Sequence, residues 1–390
     1  MRVYIIPAWY PKDANDNVAS FFREQAHALV KKGIDVTVIH IEPISVTRIG
    51  KQPLHEMRAW QDGSIRTYFH KLIIPIPSKV GYLQDRCISK AFHRIIECHL
   101  KDDINSGFGR PDILHAHVSH SCGYYCLEAS RKLQIPLVIT EHYSGLLTGE
   151  ASKADFKRVK NSIEGSDAFI FVGSRFQSAV CSKLNIRNET YVIPNMIAVP
   201  KEGSVRSERG NDDAFQFLTA CRLGKNKSVH LVIRALHKAF TAGEAVELEI
   251  AGDGKELDYL KGLAGDLGES ERVRFSGRYL RNEWPTVFGR ADAFVLTSEY
   301  ETFGVVYIEA MMCGLPCIGT NGQGADDIIS DDSGLLVNYG DVDELALAMR
   351  TIYKNHRYSR SVIRKRAIVM FSEEKVANQL IGIYAGLLSD

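Results

Sequence analysis

Long apolar runs, signal-peptide features and dense basic stretches are all missing from this chain of 390 residues. No segment approaches the roughly 20 consecutive apolar residues that a helix needs to cross a bilayer. Residues 1–9 are mostly apolar, but no basic region flanks them, no small-residue cleavage site follows them, and Pro7 interrupts them. These absences predict a cytoplasmic protein, long enough for two domains of ordinary size.

Paired cysteine motifs are missing as well, because none of the eight cysteines belongs to a C-x-x-C pair. His115, His117 and His120 come just before Cys122, which raises the question of a zinc site. A structural zinc site usually takes two ligand pairs, and the second pair has no counterpart here. We therefore expect no metal and interpret most of the cysteines as reduced, small core residues.

The net charge of +1 hides an asymmetry between the two halves of the chain. Residues 1–200 carry 25 Lys and Arg against 19 Asp and Glu, whereas residues 201–390 carry 23 against 28. A basic N-terminal half favours a negatively charged acceptor or an anionic membrane, although two solvated surfaces can also differ this much by chance. No dense basic run with interleaved aromatic residues occurs, which argues against a nucleic-acid partner.

Two successive alternations of strand and helix signals organise the chain. Each alternation is typical of a parallel, doubly wound sheet, so the fold class predicted is α/β with two Rossmann-like domains. Between them, residues 200–213 are rich in Pro, Gly, Ser and charge, which is typical of a linker. The predicted domains are 1–199 and 214–370, with a final helical segment at 371–390.

Individual elements follow from apolar periodicity and from turn residues. Strands are predicted at 2–6, 35–41, 113–114, 137–140, 168–172, 191–193, 215–220, 246–251 and 273–276. Helices are predicted at 20–32, 83–100, 121–133, 228–239, 255–263, 342–353 and 373–388.

The segment 291–320 has the most informative pattern. Its apolar run at 293–296 predicts a buried strand, and residues 305–313 predict a helix that Gly314 and Pro316 end. Ligands of open α/β sheets bind at the carboxyl ends of the strands, and helix N-termini attract phosphate. The connection between this strand and this helix is therefore a candidate binding site.

Two glutamates lie on this connection and its helix, Glu301 and Glu309, with Phe303 and Gly304 between them. On its own, an E-x7-E spacing is better explained by an ordinary helix with two solvated glutamates. With the preceding strand and the Cys-Gly-Leu-Pro stop, the segment resembles the donor site of family 4 retaining glycosyltransferases, also called glycosyl transferases group 1. That family has the GT-B fold, in which two Rossmann-like domains enclose an interdomain cleft.

The resemblance implies a role for each residue of the motif. Glu309 would bind the ribose hydroxyls of a nucleotide-sugar, and Glu301 would contact the transferred sugar. Backbone N–H groups near Phe303 and Gly304 would meet the diphosphate or the sugar.

Arg222 and Lys227 follow a predicted strand and match the family's diphosphate-binding Arg and Lys. Fixed cations can stabilise the charge that develops on a diphosphate leaving group without a metal ion. Relatives commonly have Gly where this chain has Ser228. Residues 252–254, Gly-Asp-Gly, follow another strand, but the third glycine of a dinucleotide loop is replaced by Leu257, so a tight turn is favoured.

The first half supplies candidates for the acceptor side. His117 ends a His-x-His at a strand end, and in the family the second His of that motif approaches the sugar and the acceptor. Residues 140–142, Thr-Glu-His, match a motif that the family has at the next strand end. Asn195 resembles the Asn of the family's Pro-Asn-Gly motif. We predict His117 and Glu301 as catalytic and His142 and Asn195 as lining the acceptor side of the cleft. A lone His is more often structural, and that alternative stays open.

Two departures from the family are visible. Residues 11–20 contain no glycine, where many relatives have glycines that let the backbone approach the phosphates. Asp327 occupies a position where the family usually has Glu.

The function implied is a metal-independent, retaining hexosyltransferase that uses a UDP- or GDP-linked sugar as co-substrate and needs no cofactor. It would act on a glycan or lipid-linked acceptor in surface polysaccharide synthesis, with peripheral contact at the inner face of the membrane. Three alternatives remain: a glycosidase using Glu301 and Glu309, a nucleotide-sugar epimerase, and an impaired relative that serves as a partner subunit.

Overall fold

The computed structural model describes residues 1–11, 20–45, 55–76, 80–201, 214–354 and 358–389. Their strands form two separate sheets, one in each half of the chain. Nearly all of the glycine-free opening segment and most of the predicted linker lie outside the described residues.

The first sheet has the strand order β3-β4-β2-β1-β5-β6-β7-β8. All of its neighbours run parallel except β3 and β4, which form an antiparallel hairpin at one edge. The strands are β1 (Arg2–Ile6), β2 (Asp35–Ser45), β3 (His55–Asp62), β4 (Ile65–Ile74), β5 (Ile113–His117), β6 (Leu137–Glu141), β7 (Ala168–Phe171) and β8 (Tyr191–Val192). The strand order reverses between β1 and β5, so a crevice is expected at their carboxyl ends.

Helices cover both faces of this sheet. They are α1 (Ser20–Lys31), α2 (Gly81–Asn105), α3 (Tyr124–Leu133), α4 (Gly145–Thr148), α5 (Lys153–Gly165) and α6 (Ser174–Leu184). The central strands β1, β5, β6 and β7 are buried along their whole length, as expected of a parallel sheet between two helical layers.

The second sheet is parallel throughout, with the order β11-β10-β9-β12-β13-β14. Its strands are β9 (Phe215–Ala220), β10 (Val246–Ala251), β11 (Val273–Gly277), β12 (Ala293–Val295), β13 (Cys317–Thr320) and β14 (Gly334–Val337). Its helices are α7 (Val229–Ala239), α8 (Leu257–Asp266), α9 (Trp284–Gly289), α10 (Val305–Met312) and α11 (Val342–Lys354). The order reverses between β9 and β12, which places the second crevice there.

Two further helices, α12 (Arg360–Phe371) and α13 (Glu373–Ser389), link the two halves. α13 packs on α1, where Lys31 Nζ lies 2.6 Å from a carboxylate oxygen of Glu373. Its Tyr384 hydroxyl lies 2.6 Å from His115 Nδ1 on β5. The last helix therefore covers the first sheet although it follows the second in sequence.

The predicted fold class, α/β with two Rossmann-like sheets, is confirmed. The β3–β4 hairpin was not predicted. The helix predicted from residue 121 begins at Tyr124, because Ser119–Gly123 forms a wider π-helical turn. The helix predicted from Ser228 begins one residue later, since Ser228 adopts a left-handed conformation with φ of 49°.

Within the described ranges, we find no helix that combines the length and the apolarity required to cross a membrane.

Candidate functional site

The carboxyl ends of the two sheets face each other across a cleft. Asp327, which follows β13, accepts hydrogen bonds from Ser174 Oγ and from the Arg175 N–H, the latter at 3.2 Å. Asp326 lies 3.0 Å from the Arg175 guanidinium. Gly173 leaves room for this contact, because a Cβ there would lie 2.6 Å from the Asp327 carboxylate. Asp327 thus joins the second domain to the N-terminus of α6.

Lys227 and Glu301 are in direct contact. Lys227 ends a short 3₁₀ turn that follows β9, and its Nζ lies 2.7 Å from Glu301 Oε2. The Glu299 N–H donates to the Asn226 carbonyl at 2.8 Å, which ties this turn to the connection leaving β12. Burial disfavours the Lys227 charge, but the Glu301 carboxylate more than compensates and raises the pKa of Lys227. The lysine is therefore a fixed cation beside the sugar-contact candidate.

A pocket of about 590 Å³ opens at the same strand ends. Its lining residues are Cys221, Arg222, Gly252, Asp253, Gly254, Arg278 and Tyr279. Arg222 and Arg278 are exposed there, and neither pairs with a carboxylate in the described part of the chain. The volume falls in the usual range for small-ligand pockets, roughly 300–1,000 Å³. Two unpaired cations favour an anionic ligand.

The Gly-Asp-Gly segment at the base of this pocket is a close-packed turn. A Cβ on Gly252 would lie 1.9 Å from the Cys221 carbonyl oxygen, and one on Gly254 would lie 2.3 Å from that of Leu223. The Leu223 N–H donates to the Asp253 carbonyl at 2.9 Å. The glycines are thus required for backbone packing against the Arg222 loop, which supports the tight-turn interpretation.

Glu309 lies on α10 with only 3% of its surface exposed. Its carboxylate accepts a hydrogen bond from the guanidinium of Arg281, which also binds Glu24 of α1 at 2.6 Å and 3.1 Å. Burial raises the pKa of Glu309, and the charge of Arg281 limits that rise. Sequence reasoning missed Arg281 and Glu24, which are 257 positions apart and share no local motif.

Phe303 and Gly304 form the tight entry into α10. The Phe303 ring is buried, with its centroid 6.0 Å from that of Phe371. Gly304 has φ of 95°, and a Cβ on it would lie 2.6 Å from the Tyr307 ring. A Cβ on Gly324 would lie 2.5 Å from the Phe303 backbone. The dipeptide is therefore part of a close-packed turn in which neither Gly304 nor Gly324 leaves room for a side chain.

His117 lies at the end of β5 with no exposed surface. Its Nδ1 is 3.1 Å from His142 Nε2, and the Phe22 ring lies over it with centroids 4.7 Å apart. Burial and the neighbouring His115 and His142 lower the pKa of His117, and burial lowers the pKa of His142 to about 3. Both rings are neutral at pH 7, and His117 Nε2 has no hydrogen-bond partner among the described residues.

The other polar residues of these strand ends are structural. His115 is hydrogen-bonded to Tyr384 and, at 2.8 Å, to Thr140 Oγ1. The Glu141 carboxylate accepts from the Ser119 N–H at 3.0 Å and from two further backbone N–H groups at 2.7 Å. No group of three or more His, Cys, Asp or Glu in the described ranges is arranged to hold a metal ion.

Asn195 and His142 line one small cavity of about 10 Å³, together with Phe21 of α1 and Leu380 of α13. That volume admits about one water molecule. The structure thus brings these two predicted residues together, but it does so inside the first domain.

Protein-family models match both halves of this chain. The model for Glycosyltransferase Family 4 matches residues 18–199, and that for Glycosyl transferases group 1 matches residues 201–369. The N-acetyl-alpha-D-glucosaminyl L-malate synthase of Bacillus anthracis is 27% identical over 291 residues, 72% of this chain and 76% of that protein.

Solved structures match the fold over nearly the full chain. The lipopolysaccharide outer core galactosyltransferase WaaB, in its apo form, gives a TM-score of 0.74 at 18% identity, covering 99% of this chain and 100% of that one. Anabaena HepE in complex with UDP and glucose gives 0.70 at 20% identity, covering 100% and 99%. With two parallel sheets facing across a cleft, the fold is GT-B, and the chain belongs to the family 4 glycosyltransferases, the glycosyl transferases group 1.

Proposed function

We propose that this chain transfers a hexose from a UDP- or GDP-linked donor to a glycan or lipid-linked acceptor, retaining the anomeric configuration and using no metal ion. The observation that carries the proposal is the pocket at the second sheet's carboxyl edge, where Arg222 and Arg278 form no ion pair with any residue that the structure describes. Lys227 and Glu301 lie in contact at the same edge. The similarity to a lipopolysaccharide galactosyltransferase supports a role in surface polysaccharide synthesis.

The donor would lie along this edge, with its diphosphate between Arg222 and Lys227. Breaking the glycosidic bond places negative charge on the leaving diphosphate, and preformed cations stabilise that charge at little reorganisation cost. Glu309 would accept hydrogen bonds from the ribose hydroxyls, and Glu301 from hydroxyls of the sugar. Main-chain N–H groups at Phe303 and Gly304 would meet the diphosphate or the sugar, because their side chains are buried or absent.

Retention would follow from attack on the same face of the sugar, with the departing phosphate taking the proton of the acceptor hydroxyl. His117 would act as a neutral hydrogen-bonding group, since its lowered pKa keeps it uncharged at pH 7. Its Nε2, which has no hydrogen-bond partner in the described part of the chain, is the atom that would meet a sugar hydroxyl or an acceptor. Phe22 covers this ring, so an acceptor would reach it only after α1 shifts.

The test measures released nucleoside diphosphate with and without acceptor, in EDTA, and the anomeric configuration of the first product by NMR. The proposal predicts acceptor-dependent release of UDP or GDP in EDTA and retention at the anomeric carbon. A glycosidase would hydrolyse an unactivated glycoside, and an epimerase would interconvert donors without acceptor. A partner subunit would release nothing, and an inverted product or a strict metal requirement would contradict the mechanism.

We also propose peripheral contact with an anionic membrane through α2, on the basic half of the chain. Arg86, Lys90 and Arg94 lie four residues apart on its exposed side, and none forms an ion pair within the described ranges. Tyr82 and Leu83 are exposed at its N-terminus, with 76% and 49% of their surfaces accessible. α2 begins just after the carboxyl end of β4, so these side chains lie at the cleft edge. Cations along a helix with apolar side chains at one end suit an anionic lipid surface.

Co-sedimentation with vesicles tests this contact. Binding to phosphatidylglycerol-containing vesicles, but not to pure phosphatidylcholine, is expected, and R86E/K90E should abolish it. Arg290, exposed at the opposite edge of the second sheet, provides the control variant R290E, which should bind as the wild type does. Equal binding by R86E/K90E would exclude the α2 surface.

A further inference from the structure

Arg281 joins a carboxylate of each domain. Its Nε and Nη2 donate to the two oxygens of Glu24 at 2.6 Å and 3.1 Å, and its Nη1 donates to Glu309. Glu24 lies on α1 of the first domain, whereas Arg281 lies in the turn before α9 and Glu309 on α10. The triad is largely withdrawn from water, since the side chains of Glu24, Arg281 and Glu309 are 19%, 18% and 4% exposed.

This arrangement has a directional consequence. A guanidinium held by two parallel hydrogen bonds to one carboxylate has a fixed plane, so its remaining N–H groups point in one direction. Here that direction leads to Glu309. If the domains separate, Glu24 moves away with α1, and Arg281 loses the two bonds that fix it.

We propose that Arg281 is a positioning residue through which closure of the cleft orients and ionises Glu309 for the ribose hydroxyls of the donor. The inference rests on the proposed function, since it assigns a nucleotide to the Glu309 side of the second sheet. It adds a dependence of donor binding on Glu24, a residue of the opposite domain that has no assigned contact with the nucleotide.

The electrostatics agree with this role. Burial raises the pKa of Glu309, so without a cation this carboxyl would be protonated at a higher pH and would lose an acceptor site. The titratable groups that act on Glu309 are Arg281, Glu24, Tyr279 and, on the same helix, Cys313. Burial raises the pKa of Tyr279 and brings that of Cys313 to about 12, so both stay neutral near pH 7. Of these groups, Glu309 is the one whose raised pKa brings its protonation closer to neutral pH.

The sign of the pH effect follows. Glu309 accepts ribose hydrogen bonds at both oxygens only when ionised, so nucleotide affinity falls as pH falls through its pKa. Removing Arg281 raises that pKa further, so the loss of affinity must begin at a higher pH. If the Arg281 contact served folding alone, removing it would lower the unfolding temperature but would not shift the pH dependence of nucleotide affinity.

The experiment is calorimetric titration of the intact chain with UDP and GDP from pH 5 to 8. We expect Glu24→Gln to weaken binding of the preferred nucleotide about 5- to 10-fold, the scale of one ordinary hydrogen bond. Arg281→Met should weaken it by at least as much and shift the acid loss of affinity upward by about one pH unit. Adding Glu24→Gln to Arg281→Met should have no further effect, because the two act through one contact. Arg281→Lys, which keeps the charge, should retain the wild-type pH profile.

The control is Asp326→Asn, which removes another contact across the cleft, to Arg175, without touching Glu309. It should leave the affinity and its pH dependence unchanged. An equal loss in Asp326→Asn, or unchanged affinity in a folded Glu24→Gln, would overturn the inference while the donor site stands. If the wild type binds no nucleotide, or Glu309→Ala binds it normally, the proposed donor site and the inference fail together.

Discussion

The two edges that face the cleft differ in how they treat charge. The second sheet ends in ionised groups with fixed partners or an open pocket, such as the Lys227–Glu301 pair and Arg222. The first sheet ends in buried, neutral histidines, with His117 beneath Phe22 and His142 beside a cavity the size of one water. We infer from this difference that the second edge suits an anion as it stands, whereas the first would have to rearrange before it could contact a polar ligand.

The largest expected effect comes from the carboxyl end of the second sheet, called here the charged edge. Lys227→Met removes the cation that would meet the leaving diphosphate and leaves Glu301 without its partner. We expect the transfer rate to fall about 10²- to 10³-fold, the usual loss when a preorganised stabilising group is removed. Lys225→Met, an exposed lysine of the same turn, is the matched control and should transfer normally in the same steady-state assay. Similar rates for both variants would remove Lys227 from the site.

Arg222→Ala tests the open side of the same edge. We expect it to weaken nucleotide binding by about 1.5–3 kcal/mol, the value of a hydrogen bond to a charged group. Arg290→Ala, exposed at the opposite edge of the sheet, should bind the nucleotide as the wild type does. Unchanged affinity in a folded Arg222→Ala variant would contradict the diphosphate assignment.

The carboxyl end of the first sheet, the neutral edge, should make the protein less stable in acid. Burial lowers the pKa values of His115 and His142 to about 3, so below pH 6.5 the unfolded chain binds protons that the folded chain excludes. These two histidines therefore leave the free energy of unfolding undiminished above pH 6.5 and lower it progressively as pH falls towards 3. Between pH 7 and pH 5, each of these histidines should lower the free energy of unfolding by about 2 kcal/mol. His142→Asn should recover about that amount in urea unfolding at pH 5, and identical acid sensitivity in variant and wild type would show that this edge is not held neutral.

Phe22→Leu should have the smallest effect. It keeps an apolar side chain over His117 but shortens the cover, so we expect about 1 kcal/mol of destabilisation in urea unfolding. Nucleotide affinity should be unchanged, because Phe22 belongs to the edge that does not hold the donor. A marked loss of nucleotide affinity would mean that the Phe22 side chain, like Glu24 on the same helix, contributes to donor binding.

The sequence predicted some elements of each domain within a residue and missed others, for local reasons. The strand limits predicted at 215–220 and 246–251 agree with β9 and β10, because apolar runs of that length have clear ends. The β3–β4 hairpin was missed although Asp62-Gly63 lies at its turn, a strong hairpin signal. Its strands are half-exposed and mix polar with apolar residues, so they lack the continuous apolar signature of the buried strands.

The site shows the same division. Lys227 and Glu301 were found separately, from motifs that follow two different strands, and the parallel sheet brings those strand ends together. Arg281 and Glu24 could not be found in this way, because their contact depends on how two domains pack. The burial of His117 likewise depends on where α1 places Phe22, which its own motif does not encode.

The most direct test of the central claim, that the charged edge holds a nucleoside diphosphate, is calorimetric titration of the purified protein with UDP, GDP and ADP in EDTA. The account predicts micromolar binding of UDP or GDP without metal, and loss of that binding in Arg222→Ala and Glu309→Ala. Absence of binding by all three nucleotides, or binding that both variants retain in full, would contradict it.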